Sequence, residues 1–370
     1  MLPPNDPNRH NFSGGPGALP RSVLEQLQEA IGAVPEVGLS ILGVSHRSDW
    51  FAAVVSELEA NIRQLLGLPE NYHVLFLQGG ATQQFSMAPM TWLRGKKEAA
   101  DYLQTGYWSS KAITEAAREG PLRVLWHGEA GGFRRLPQDE ELEFNPAAPY
   151  LHYVSNETVE GLQFHRIIGR DDIPRICDMS SDFLSATGPF DKFSLIYAHA
   201  QKNLGPAGVT VVIIKDQLLQ DAPRDRLPAF LDYHQQIAAH SILNTPPVFA
   251  IYTVLLVTRW LRDEIGGLAA MAEINAAKAA ALYRLLDDHD DFYIPRAAKA
   301  DRSTMNVVFN LQSRQREQAF LAAAEAAGFS GLGGHRSIGG IRASLYNGLE
   351  RAAVDNLIDF MADFRRRSLA

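Results

Sequence analysis

A single cysteine, Cys177, in 370 residues excludes a disulfide framework and a cysteine-based zinc site. No apolar stretch reaches the ~20 residues that span a membrane. The opening MLPPNDPNRH lacks the basic-then-apolar order of a signal peptide. The expected address is therefore the cytoplasm. Basic runs are missing until Arg365-Arg366-Arg367, which reads as a solvated helix end, and the net charge is −7. That balance argues against nucleic acid as a partner. No G-x-G-x-x-G follows the first expected strand, so a dinucleotide-binding reading fails. Internal repeats and low-complexity segments are also missing. What remains is an ordinary globular composition, 46% hydrophobic and 21% charged, with a length that suits two domains or one large one.

The first two thirds of the chain alternate strand and helix patterns. Buried-strand runs are expected at 72–77, 100–105, 122–126, 150–154, 194–198 and 208–214. Helices are expected from Pro20-Arg21-Ser22 to about Gly32, from Trp50 to Leu66 with Asp49 as cap, and from about Gln83 to Leu93. Such alternation predicts a mostly parallel α/β sheet, in which ligands bind at strand ends. After Lys215 the texture changes to two long helices, Val248 to about Glu264 and onward to about Leu286, broken by Gly266-Gly267. From Ser303 the pattern is α+β, and Gly266-Gly267 is the expected domain boundary.

The chain is organised around SLIYAHAQKNLGPAGVTVVIIK, residues 194–215, two apolar runs with Lys202 between them. Burying an ammonium costs several kcal/mol unless something compensates. A desolvated lysine loses its proton more easily and becomes a nucleophilic amine able to form a Schiff base with an aldehyde such as pyridoxal phosphate. Asp178 ends a short apolar run upstream. A carboxylate there suits the pyridine nitrogen of that coenzyme, whose protonated ring is an electron sink. Taken singly, a lysine is by default a solvated surface residue and an Asp by default a turn or cap. Gln78-Gly79-Gly80-Ala81-Thr82 leads from strand into helix and offers backbone N–H groups to an anion. Trp108 follows a strand end, where an aromatic ring either stacks on a ligand or fills the core.

The strings NFSGGPGALP, VSHRS, QGGATQQF, GYWSSKA, YVSNET, DMSSDFLS, AHAQKNLGPAG, NTPPVFAIY and GHRSIGGIRASLYN, in this order from Asn11 to Asn347, resemble the phosphoserine aminotransferases. The resemblance implies a pyridoxal-phosphate-dependent transferase of fold type I. Its large α/β domain, 16–265, would carry a mostly parallel seven-stranded sheet. A small C-terminal α+β domain would span 266–370, with segment 1–15 packed on it. The implied activity is transfer of an amino group between L-glutamate and 3-phosphohydroxypyruvate, giving O-phospho-L-serine and 2-oxoglutarate in serine biosynthesis. A second, related product would be 4-phosphohydroxy-L-threonine, on the route to pyridoxine. The resemblance assigns Lys202 to the Schiff base and Asp178 to the pyridine nitrogen. It stacks Trp108 on the ring and puts Ala81, Thr82, Thr158 and Gln201 in contact with the cofactor. Asn244 and Thr245 would reach the cofactor phosphate of a second subunit in a homodimer with shared sites. No metal is implied.

His46-Arg47, His335-Arg336 and Arg342 are three cationic stations in an acidic protein. The planar fork of arginine binds carboxylate or phosphate bidentately. By resemblance Arg342 holds the α-carboxylate. His335 and Arg336, with His46 and Arg47 reaching in from a partner subunit, serve the distal phosphate or carboxylate. One departure falls at Gly14, where the family often has a serine whose hydroxyl could touch substrate. Three rivals stand beside this reading. A cysteine desulfurase would need a reactive cysteine on a mobile loop, and Cys177 lies in an apolar run. A transaminase for a non-phosphorylated amino acid would differ in its acceptors. A catalytically dead binding module would have lost Lys202 or Asp178.

Overall fold

The structure, a computed structural model, describes residues 10–224 and 226–369. The expected packing of segment 1–15 therefore falls partly on residues outside the described ones. The element order is α1 (Arg21–Gly32), α2 (Asp49–Leu66), β1 (Tyr72–Leu77), α3 (Gly80–Trp92), β2 (Ala100–Gln104), α4 (Tyr107–Ala116) and β3 (Leu122–His127). Then come β4 (Leu151–Val154), β5 (Asn156–Glu157), β6 (Leu162–Gln163), β7 (Arg175–Asp178), β8 (Leu195–His199), β9 (Thr210–Lys215), α5 (Asp216–Gln220), α6 (Tyr233–Ala238) and α7 (Val248–Arg259). The chain finishes with α8 (Leu268–Asp288), β10 (Tyr293–Pro295), β11 (Asn306–Leu311), α9 (Arg314–Ala326), β12 (Ile341–Ser344) and α10 (Arg351–Leu369).

Seven strands form the large sheet in the order β1-β9-β8-β7-β4-β2-β3. Strands β3, β2, β4, β7 and β8 pair in parallel. β9 runs antiparallel to both of its neighbours, β8 and β1. Both faces are buried. Ile196 and Ala198 of β8 enter one apolar cluster with Val211 and Ile213, while Leu195 and Tyr197 enter another with Val212 and Ile214. Apolar residues on both faces make these strands continuous hydrophobic runs. The reversal at β9 allows the short link 200–209, because antiparallel neighbours need no helical crossover. Ala200 N–H donates to Val209 O at 3.0 Å and closes the base of that link.

Local chemistry corrects three expectations. The cap of α2 is Ser48, whose hydroxyl accepts from Phe51 N–H, and Asp49 opens the first turn, where a negative charge suits the helix dipole. Helix α3 starts at Gly80 rather than near Gln83, so Ala81 and Thr82 sit in its first turn. Gly79 and Gly80 have φ of 91° and 71°, in the left-handed region that suits glycine. Strand β10 was not expected from the sequence and pairs antiparallel with β11.

A three-stranded antiparallel sheet, β10-β11-β12, backs a second apolar cluster built from Phe12 and residues between Ala279 and Met361. A polar clamp ties the link after Lys202 to this part of the chain. Three consecutive carbonyls each accept from an asparagine side chain: Phe183 O from Asn203 at 2.7 Å, Leu184 O from Asn347 at 2.8 Å and Ser185 O from Asn275 at 3.0 Å. Asn347 N–H in turn donates to Asn203 Oδ1 at 2.8 Å. Beside the clamp, Lys278 Nζ donates to the carbonyls of Leu345, Tyr346 and Leu349 at 2.8–3.0 Å.

Asn347→Ala strips one carbonyl of its donor and leaves Asn275 with one acceptor fewer. An unmade buried hydrogen bond costs about 1–3 kcal/mol. The expected loss of unfolding free energy in urea is of that size, with the slope against denaturant unchanged. A loss below ~0.5 kcal/mol, the range of ordinary surface substitutions, would mean that the clamp adds nothing.

Candidate active site

The C-terminal ends of β1, β2, β4, β7 and β8 meet at one edge of the sheet. A cavity of about 360 Å³ opens there. Lys202 lies in the link after β8, is only 8% exposed, and lines the cavity with Asp178 from the end of β7. Its Nζ donates to Thr158 Oγ1 at 2.5 Å and sits 4.8 Å from the centre of the Trp108 ring. Burial pushes the Lys202 pKa down to about 8, with the cationic Arg342 adding to the fall and Asp178, Glu157 and Asp182 opposing it. An amine with that pKa is partly unprotonated near neutrality.

Asp178 is fixed by its neighbour two residues on. Its Oδ1 accepts from Ser180 N–H at 2.8 Å and from Ser180 Oγ at 2.6 Å. Ser180 Oγ accepts in turn from His199 N–H at 3.1 Å, which ties the ends of β7 and β8 together. Burial raises the Asp178 pKa, while Lys202 and the two bonds from Ser180 hold it down. Opposite, Gly79, Gly80, Ala81 and Thr82 line the cavity at the start of α3. The free N–H groups and the dipole of a helix start favour an anion there. Trp108 lines a third side, and its Nε1 is buried with no acceptor among the described residues. Gln201 completes the lining next to Lys202, and its carbonyl accepts from Gly17 N–H at 2.8 Å.

The cationic stations come from other elements. Arg342 lies on β12, and its Nε is buried without a partner among the described residues. Burial lowers its pKa, against the pull of Tyr346 and Glu160. Gly14 explains its seat: a Cβ at position 14 would stand 2.2 Å from an Arg342 guanidinium nitrogen. The missing side chain is space that the arginine occupies. Tyr346 holds the same segment by donating its hydroxyl to Gly14 O at 2.9 Å. The His335 ring lies 4.6 Å from that of Tyr107, beside Trp108, and its pKa is lowered by burial and by Arg342 and Arg336. Arg336 is exposed.

The fold thus brings Lys202, Asp178, Trp108, Gln201, Ala81 and Thr82 around one cavity, with Thr158 bonded to the amine. Gly14, His335, Arg336 and Arg342 lie outside its lining, and four further candidates lie outside it as well. His46 and Arg47 lie on the turn before α2, and Asn244 and Thr245 are exposed beside Gln78, whose Nε2 donates to Thr245 O at 2.9 Å. Sequence reasoning missed Ser180, His199 and the pair Glu157 and Glu160. Ser180 and His199 had a readable signal, since each is a polar residue at the end of an apolar run, within three residues of Asp178 or Lys202. Cys177 is buried inside β7, and burial pushes its thiol pKa well up, the reverse of a reactive thiolate.

Comparison with known proteins adds three findings. The model of the family "Aminotransferase class-V" matches residues 9–357. A phosphoserine aminotransferase of Laribacter hongkongensis (strain HLHK9) is 46% identical over 359 residues, 97% of this chain and 99% of that one. Among solved structures, the phosphoserine aminotransferase of Bacillus circulans subsp. alkalophilus superposes with a TM-score of 0.94 at 42% identity, covering 97% of this chain and 99% of its own. A phosphoserine aminotransferase from Trichomonas vaginalis, solved with pyridoxal phosphate bound, gives a TM-score of 0.89 at 34% identity, with 96% and 99% covered.

The tight seat of Arg342 can be checked directly. In a crystal structure of Gly14→Ala, the guanidinium is expected to move by more than ~1 Å, because non-bonded heavy atoms settle near ~3.5 Å apart. An unmoved guanidinium, with the 13–16 segment displaced instead, would show that the backbone is the softer partner.

Proposed function

The chain belongs to the aminotransferase class-V family, and on that premise we propose that it is a pyridoxal-phosphate-dependent phosphoserine aminotransferase. It moves an amino group between L-glutamate and 3-phosphohydroxypyruvate, forming O-phospho-L-serine and 2-oxoglutarate. The observation that carries the reading is a desolvated lysine amine facing a buried aspartate across one cavity at the strand ends.

The residues present fit pyridoxal phosphate. The lysine is poised to lose its proton, the Gly-Gly helix start suits a phosphate, and the Trp108 Nε1 has no acceptor among the described residues. When bound, the coenzyme supplies an aldehyde that receives the amino group and a protonated ring that draws off the electrons left at Cα. Lys202 is the residue that holds it and the base that removes the Cα proton. Asp178, oriented by Ser180, stabilises the proton on the ring nitrogen. Trp108 covers one face of the ring. Ala81 and Thr82 serve its phosphate, and Thr158 and Gln201 complete its contacts.

Arg342 is the α-carboxylate anchor, and its unpaired buried Nε supports that role. His335 and Arg336 receive the distal anion. The same reading makes the enzyme a cytoplasmic homodimer, in which His46 and Arg47 reach the substrate of the other subunit and Asn244 and Thr245 its cofactor phosphate. Support comes from the exposed apolar patch on the same stretch of chain as His46 and Arg47, where Leu42 is 69% and Leu39 54% exposed. Two domains, 16–265 and 266–370, complete the reading, and the packing of Phe12 in the second apolar cluster supports placing the N-terminal segment there.

Phosphate carries nearly two charges at neutral pH and a carboxylate one. Hydrogen bonds to charged groups are worth about 1.5–3 kcal/mol, so Arg336→Ala is expected to reduce kcat/KM by roughly one to two orders of magnitude. The loss should be largest for 3-phosphohydroxypyruvate, smaller for glutamate and smallest for an acceptor without a distal anion. Equal losses on all three would assign Arg336 to the fold or the cofactor. For the dimer, Lys202→Ala and Arg47→Ala proteins, each nearly inactive alone, should regenerate activity when their subunits exchange. Proven exchange without recovery would count against shared sites.

A further inference from the structure

Two buried acids beside the site have no part in the chemistry above. Glu157 and Glu160 are 0% and 1% exposed and flank the turn between β5 and β6. Together they accept the first three N–H groups of α4. Glu160 Oε1 takes Tyr107 N–H at 3.0 Å, Glu157 Oε2 takes Trp108 N–H at 3.1 Å, and Glu157 Oε1 takes Ser109 N–H at 3.0 Å. Thr105 Oγ1 adds a further bond to Glu157 at 3.2 Å. The approach is possible because position 106 is glycine: a Cβ there would lie 2.4 Å from Glu160 Oε2 and 2.6 Å from Glu157 Cδ. Glu160 Oε2 is left buried with no partner among the described residues.

We propose that Glu157 and Glu160 are a positioning pair, one ionised and one protonated, that clamps the start of α4 and so holds the Trp108 ring over the Lys202 amine. The proposal rests on the reading in which Lys202 and Trp108 flank the cofactor. Two carboxylates that accept from adjacent N–H groups of one helix start, both out of water, do not both ionise. The helix start supports about half a positive charge, enough to favour one carboxylate but not two. Glu157 has three donors and keeps the charge. Glu160 takes one N–H of the helix, leaves Oε2 bare, and carries the proton. Burial first, then the charge of Glu157, push the Glu160 pKa up to about 8. The charged groups facing Glu160 are Glu157 and Arg296, with Arg342 feeling it from β12, and those facing Glu157 include Asp178 and Lys202. Loss of the Glu160 proton would add a second charge at the clamp, and the N–H groups that seat Trp108 would be contested.

The test uses the full-length holoenzyme and the same chain stripped of cofactor. Glu160→Gln keeps an acceptor for Tyr107 N–H and fixes a neutral head. A carboxyl whose folded pKa lies above its unfolded value of 4.5 binds more protons folded than unfolded, so its stability contribution falls as pH rises between the two. Wild type should therefore lose stability relative to Glu160→Gln from about pH 5 to about pH 8, level off above, and do so with or without cofactor. Wild-type kcat/KM is expected to fall near pH 8 as Glu160 loses its proton, and that fall should be missing from the variant. Glu157→Gln should lower kcat more than it raises KM and change the near-ultraviolet circular dichroism that is lost in Trp108→Phe. Superimposable pH–stability curves for wild type and Glu160→Gln would overturn the protonated Glu160. An unchanged Trp108 signal in a folded Glu157→Gln would overturn the clamp. Should Glu157→Gln fail to fold, Glu157→Asp, whose shorter side chain withdraws the acceptor from Trp108 N–H, takes its place, and an unchanged Trp108 signal in it would overturn the clamp. Failure of the broader reading is seen elsewhere, as a borohydride-reduced cofactor label on a residue other than Lys202.

Discussion

Moving an ammonium out of water costs several kcal/mol even after the protein relaxes, and Lys202 is held almost wholly out of water. The site is arranged around limiting that penalty without abolishing it. Full compensation by a carboxylate in direct contact would give a protonated, inert lysine. No ion pair within 4 Å joins Lys202 to an acid among the described residues; Asp178, Glu157 and Asp182 act on it from further off. Thr158 supplies a neutral partner and Trp108 a ring face. The amine therefore keeps a pKa of about 8, between a committed cation and a committed nucleophile.

The acids that surround it face the opposite problem. Asp178, Glu157 and Glu160 are buried and Asp182 is half-buried, and desolvation pushes every one of them up. Each is answered by donors rather than by a cation alone: Ser180 for Asp178, Ser155 and Gln163 for Asp182, the start of α4 for the two glutamates. Fixed dipoles can stabilise charge in a site that must also accommodate a charged ligand, because they leave the net charge unchanged. The same logic gives Arg342 its place. Its guanidinium rests in room left by Gly14, with Nε unspent.

Much of this was legible in the sequence where local pattern decides the outcome. β1 was recovered residue for residue because 72–77 is apolar throughout except for His73. Lys202 and Asp178 were legible because chemistry-bearing residues at the ends of such runs must share one sheet edge. Other features were hidden by rules that tertiary structure overrode. Glycine disfavours a helix interior, so α3 was placed too late, although its glycines serve its start. Ser48 and Asp49 are both good caps, and only the hydroxyl bond to Phe51 distinguishes them. β10 is three residues long, too short for a period to register. Glutamates are surface residues by default, so nothing in YVSNETVEG signals two buried acids. His46, Arg47, Asn244 and Thr245 are assigned through the resemblance alone, and the chain's own fold does not bring them to the cavity.

The reversal of β9 has a mechanical consequence. A link anchored at both ends in neighbouring hydrogen-bonded strands is stiff, and Lys202 rides on it. Asp178 ends the strand next door, with Ser180 fastened to His199 of β8. Amine and acid are therefore mounted on one rigid frame, and thermal jostling moves them together. Arg342 is mounted on a different sheet, fastened to that frame through the asparagine clamp. The compliance of the site is thus unevenly distributed. The spacing of amine to acid is the stiff coordinate, and the spacing of amine to guanidinium is the one with give, where ligands of different length can be taken up while the amine and acid keep their spacing.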